Sequence, residues 1–225
     1  MSNKKRTKKV IDTPSVVEKP KVNIDINRIL GWVKKYANPW EVSALVREEN
    51  GTLKQSLSII LFSQLLNQVA LVIAFFIGAL FAAPQTFTDY PLAYNIALAL
   101  LQALVAAIAS TAIFYFMSGV LYLITKLLGG KSNFGFQTYL LSVLNLCIVV
   151  ITSPLMLFAF VPLISPLIQI VLLVMSAYSF YPIFQVVRHT NNFSKLRAGC
   201  AVALLFLVSM VLLLVLTALL APFLV

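Results

Sequence analysis

The sequence predicts an all-α integral membrane protein: a bundle of five transmembrane helices preceded by short cytosolic N-terminal helices. Three observations predict it. Between Ser56 and Val187 only Asp89, Lys126 and Lys131 carry charge, and no residue after Arg197 does. Hydrophobic residues make up 60% of the 225 positions and charged residues 11%, with a mean hydropathy of +0.95. Charge is costly in hydrocarbon, so uncharged runs of about 20 residues or more read as membrane spans.

The elements follow in chain order. Residues 1–22 mix Lys, Pro, Ser and Thr without periodicity and are expected to form a disordered basic arm. Its cluster Lys4, Lys5, Arg6, Lys8 and Lys9 suits anionic lipid headgroups, at about 1 kcal/mol per basic residue near the surface. Residues 23–53 are expected to form cytosolic or interfacial amphipathic helices. Ile26, Ile29, Leu30 and Val33 recur at helical spacing, with Trp32 and Tyr36 near the edge of that face. Asn38-Pro39-Trp40-Glu41 then reads as an N-cap followed by a second helix from Pro39 to about Glu49. Gly51 ends that helix, and Thr52 with Gln55 forms a capping box at the first span.

Residues 54–225 supply the spans, drawn at 54–82, 92–127, 134–153, 165–187 and 197–222. The second exceeds what the bilayer requires and should tilt, kink or project. The run from Phe134 to Val187 lacks charge entirely and is divided at Pro154, Pro162 and Pro166, because proline lacks a donor and disfavours helix before it. Ala99, Ala103, Ala107 and Thr111 recur every fourth residue, which places the second span at the bundle centre. All 17 Lys and Arg residues fall on one side of this scheme, so the N-terminus is expected in the cytosol and the C-terminus outside. The net charge of +10 is thus a topology signal and no nucleic-acid partner is expected.

Enzymatic chemistry is not expected. Six of the seven carboxylates precede the spans and Asp89 lies in an outer loop, so no paired carboxylates meet in the membrane. His189 is the single histidine, and with Cys147 and Cys200 far apart in sequence it makes no zinc set. No cofactor is expected, and both cysteines read as small packed hydrophobes. Gly130-Lys131-Ser132 lacks the first glycine and the preceding strand of a phosphate-binding loop. What remains is neutral and polar: Gln64, Asn67 and Gln68 fall at i, i+3 and i+4 and are expected to face the bundle interior. Gln102, Ser110, Thr111, Ser142, Asn145, Gln169, Ser176 and Gln185 are candidate partners between helices.

Leu127-Leu128-Gly129-Gly130-Lys131-Ser132-Asn133-Phe134 resembles the double-glycine joint between the second and third helices of the Yip-domain family of Rab/Ypt-interacting membrane proteins. Asn38-Pro39-Trp40 before the first span, five hydrophobic helices and the polar stretch from Arg188 to Lys195 are similar to that family as well. The resemblance covers about residues 36–222. It implies a non-enzymatic scaffold or adaptor of membrane traffic or organisation, which in eukaryotic relatives contacts small GTPases and partner membrane proteins. The arm here is short and Lys-rich, without the long Pro/Gln-rich region of many eukaryotic members. That points away from a small GTPase partner and toward a prokaryotic member in the plasma membrane. Gly129 and Gly130 are expected to end one helix through a left-handed residue, with Ser132 capping the next. A small transporter or channel subunit built on the first-span amides is the alternative; it requires a continuous polar path, whereas a scaffold buries those amides between helices.

Overall fold

The computed structural model describes residues 25–81, 92–159 and 161–220. The basic arm, the Asp89 loop and the last five residues lie outside the described residues. The described elements are all helices: α1 (Ile26–Ala37), α2 (Val42–Glu48), α3 (Leu53–Phe81), α4 (Leu92–Leu127), α5 (Phe134–Met156), α6 (Ser165–Asn191) and α7 (Lys195–Leu220). Of these, α3 to α7 are long and apolar enough to cross a membrane. The chain is a multi-pass helical membrane protein.

The start of α3, the α4–α5 joint, the end of α6 and the start of α7 share one end of the bundle. Leu53 packs on Gly135 and Asn191 reaches Gly130, which brings Lys54, Lys126, Lys131, Arg188, Lys195 and Arg197 to that end. Ser56 Oγ donates to the Thr138 carbonyl at 3.4 Å, and one pair of turns further along Asn145 Nδ2 donates to Ser63 Oγ at 2.8 Å. Helices α3 and α5 therefore run parallel in a fixed register.

The centre is α5, not α4. Buried residues follow one another along α5, including Gln137, Tyr139, Leu140, Val143, Leu144, Leu146 and Cys147, and it packs against α1, α3, α4 and α6. On α4 the buried positions Ala107, Thr111, Ser118, Leu121 and Thr125 trace a single stripe, while Leu104, Val105, Ile108 and Ile113 are exposed. A small-residue stripe permits close approach on one face only; it does not enclose a helix, and hydropathy cannot rank spans that are all apolar.

Three local expectations change. Asn38 does not cap a helix beginning at Pro39: its Oδ1 accepts from Trp40 N at 3.2 Å and its Nδ2 donates to Glu41 at 2.9 Å, closing a turn before α2 starts at Val42. Asn133 replaces Ser132 as the cap of α5, accepting from Gly135 N at 2.9 Å. Pro154 does not divide the run but sits in the last turn of α5, which continues to Met156. The Thr52–Gln55 box forms as expected, with Thr52 N donating to Gln55 Oε1 at 2.7 Å and Gln55 N to Thr52 Oγ1 at 3.4 Å.

Candidate functional site at the basic end

Two joints and one hairpin build this end. At the first joint Gly129 adopts φ +85, with Gly129 N donating to Lys126 O at 3.0 Å and Gly130 N to Thr125 O at 2.8 Å. This is a Schellman termination, which satisfies the last carbonyls of α4 through a left-handed glycine. Gly130 is required for a different reason. A Cβ there would strike Asn191 Oδ1 and approach Thr125 O to 2.7 Å. At the second joint Asn192 takes the left-handed role, with φ 54, and Phe193 N donates to Arg188 O at 2.9 Å while its ring is buried. Asparagine tolerates that conformation better than most residues.

Asn191 ties the two joints together. Its Oδ1 accepts from Ser132 N at 3.2 Å, and its Nδ2 donates to Val187 O at 3.1 Å and, at 3.4 Å, to Gln137 Oε1. Thr125 Oγ1 reaches the same Gln137 oxygen at 3.4 Å. Side chains of α4, α5 and α6 thus meet in a buried polar knot directly under Gly130.

The hairpin of α1 and α2 is clamped by Glu49. This carboxylate accepts from Arg28 Nη2 at 2.7 Å, Trp32 Nε1 at 2.6 Å and the Tyr139 hydroxyl at 2.9 Å. Arg28 also stacks 5.0 Å from the Trp32 ring centroid. Burial alone would raise the Glu49 carboxyl, but the bonds from Trp32, Arg28 and Tyr139 outweigh it and hold it below its ordinary value. Arg28 shifts the opposite way, its burial outweighed by Glu49. Gly51 lets the chain pass over the Tyr139 ring, against which any Cβ would collide. Further along, Tyr178 donates to Tyr36 O at 2.8 Å and Tyr181 to Pro39 O at 3.2 Å.

Trp32 and Tyr36 are fully buried, whereas Ile26 and Leu30 are exposed. The face that α1 buries is therefore the aromatic one, because it packs on α5 and α6 and finds the Glu49 acceptor there. Pro39 is exposed and Trp40 is 88% exposed at the hairpin turn.

The amides of α3 sit apart from this assembly. Gln64, Asn67 and Gln68 are all half-buried, and the enclosed positions of α3 are Ser56, Ile59, Ile60, Ser63, Ala70 and Ala74. Small hydroxyls bonded back to their own backbone, as Ser63 is to Ile60 O at 2.9 Å, fit against α5 more closely than amides do. Gln68 lines a groove of about 260 Å³ between α3 and α4 together with Gln102, Leu71, Phe75, Ala99 and Ala103. Gln169 and Ser176 are exposed and bond within α6, to Ser165 Oγ and Leu172 O. Gln185 is buried on α6. Cys147 is buried and Cys200 exposed.

Sequence reasoning passed over Glu49, Arg28, Tyr139, Asn191 and Asn192. The available signal was position: Glu49 is the last carboxylate before the first span, and Asn191-Asn192 ends the α6 run.

The family model described as the Yip1 domain matches residues 37–217. No curated protein and no solved structure matches the chain.

Proposed function

The chain belongs to the Yip1 domain family, and from that premise we propose that it is a non-enzymatic membrane scaffold or adaptor of membrane traffic, with its basic end in the cytosol. In this reading the N-terminus is cytosolic, the C-terminus lies outside, and residues 1–22 add attraction for anionic headgroups. Partner membrane proteins, including further copies of the chain, engage the basic end. The single observation that carries the reading is the construction of that end. Two left-handed joints, the Asn191 knot and the Glu49 clamp fix one surface in place before any partner arrives. Preorganisation of this kind lowers the ordering cost of binding.

On that surface the apolar side chains of Leu127 and Leu196 are 87% and 79% exposed beside Lys126, Lys131 and Lys195. A photo-crosslinking amino acid at Leu127 or Leu196, activated in native membranes, is expected to give discrete protein adducts. Adducts to lipid alone would overturn the reading. The transporter alternative has one observation in its favour, the Gln68–Gln102 groove. Solute flux into proteoliposomes that Gln68→Leu abolishes would promote it.

A further inference from the structure

The α1–α2 hairpin descends alongside the bundle, and its depth can be read from α6. Asn191 marks the basic end, where it meets Gly130 and Gln137. Tyr181 and Tyr178, which hold Pro39 O and Tyr36 O, lie ten and thirteen residues earlier on the same helix. At 1.5 Å per residue the hairpin turn sits about 15–20 Å below the end of α6. The other limb returns: Arg47, at the end of α2, interacts electrostatically with His189, and Glu49 reaches Tyr139 in the second turn of α5. So α1 leads inward along α5, the chain turns at Asn38–Glu41, and α2 leads back along α6.

At this depth α5 and α6 carry no charge, and Phe180 and Tyr181 are exposed on α6, a helix long and apolar enough to cross a membrane. The turn presents Trp40, 88% exposed, next to the partly exposed Tyr181. An indole beside a phenol, with apolar bodies and polar tips, matches the headgroup–hydrocarbon boundary of a bilayer. The polar groups of the hairpin are disposed accordingly. Glu41 is held by Asn38, Lys35 pairs with Glu48, and Lys34 and Lys35 have stems long enough to snorkel toward the headgroups.

We propose that the α1–α2 hairpin is a wedge inserted into the phospholipid leaflet at the basic end, with Trp40 as its anchor at the boundary between headgroups and acyl chains. The occupant of the exposed turn is phospholipid, because the turn is continuous with the lipid-facing surface of α6 and lies well inside the level of the basic residues. One leaflet then accommodates two more helices of this protein than the other. The inference concerns the membrane rather than a protein partner and stands whether or not the scaffold reading does.

The chain has two tryptophans, Trp32 and Trp40. Full-length protein and a Trp40→Phe variant are reconstituted in phosphatidylcholine vesicles, and their fluorescence difference isolates Trp40, since the buried Trp32 is common to both. Brominated phosphatidylcholine, labelled at shallow or deep acyl positions, is the membrane quencher, and acrylamide is the aqueous one. The expected difference signal is blue-shifted, is quenched several-fold by shallow-brominated lipid and resists acrylamide. Quenching by acrylamide with indifference to bromolipid would overturn the proposal by placing the turn in water. Indifference to both would overturn it as well, by showing that protein covers the turn. The substitution keeps an aromatic ring at an exposed position, and unchanged near-ultraviolet dichroism from Trp32 and the tyrosines verifies that the variant is folded.

Discussion

Replacing Glu49 by Ala removes the acceptor of three donors at once, and the cost can be built from their environments. The Trp32 indole is buried and the Tyr139 hydroxyl is part-buried, so each lost charge-assisted bond contributes about 1.5 kcal/mol, the low end for such bonds. The Arg28 side chain is 40% exposed, so solvent screening reduces its share to about 0.5 kcal/mol. Together about 3.5 kcal/mol of hairpin docking is lost, close to a 300-fold increase in the population of the opened hairpin at 1.4 kcal/mol per decade. Hydrogen exchange on protein in nanodiscs reads this directly. Amides of α1 and α2 should exchange some two orders of magnitude faster in Glu49→Ala, while those of α5 between Tyr139 and Cys147 keep their protection. Unchanged exchange in α1 would refute the reasoning, because the clamp would then contribute nothing. Equal acceleration throughout α5 would refute it too, since the hairpin would not be a separate cooperative unit.

The remaining predictions address the joints, acidity and orientation. Gly129→Val forces a β-branched residue to φ +85 and should cost about 1–2 kcal/mol or more, read as a lower unfolding midpoint in bicelles. Gly130→Ala should be at least as damaging although its backbone is unstrained, because its Cβ meets Asn191 and the Thr125 carbonyl. Since the folded Glu49 carboxyl titrates below its unfolded value, its stabilisation is complete above about pH 4.3 and is lost as pH falls through the folded value. Hairpin exchange should therefore accelerate on acidification below pH 4 in the natural chain but not in Glu49→Gln. With Cys200 replaced by Ser, a cysteine at Leu163 should react with an impermeant reagent from outside and one at Asn192 should not.

The spans were legible because the cost of charge in hydrocarbon writes them into composition: the expected 92–127 matches Leu92–Leu127, and the others differ by a few residues at their ends. Local chemistry was legible where one residue suffices, as in the left-handed Gly129 and the Thr52–Gln55 box. Contacts between distant segments were not. Asn191 lies in what reads as a polar linker, yet it bonds to Gln137 of α5 and Ser132 of the joint, with Thr125 of α4 on the same Gln137, and no periodicity in α6 announces a knot assembled from three helices. The same limit hid the central place of α5: Ser142 marks it as one helix with interhelical contacts among several, and hydropathy does not distinguish it from the equally apolar α4. The amides of α3 were conspicuous by type, but Ser56 and Ser63 occupy the tightest approach because volume outranks hydrogen-bonding capacity there.

The central claim is that the assembled basic end is what partners engage. Photo-crosslinking from Leu127 and Leu196 in native membranes, compared between the natural chain and Asn191→Ala at equal abundance, tests it most directly, because Asn191 ties together the two joints that flank those residues. Discrete protein adducts are expected from the natural chain and should fall by roughly an order of magnitude when the Asn191 knot is removed, with the five-span core still protease-resistant. Adducts of equal yield in both proteins would contradict it, because partners would then be reading the exposed residues without the platform that Asn191 holds in place.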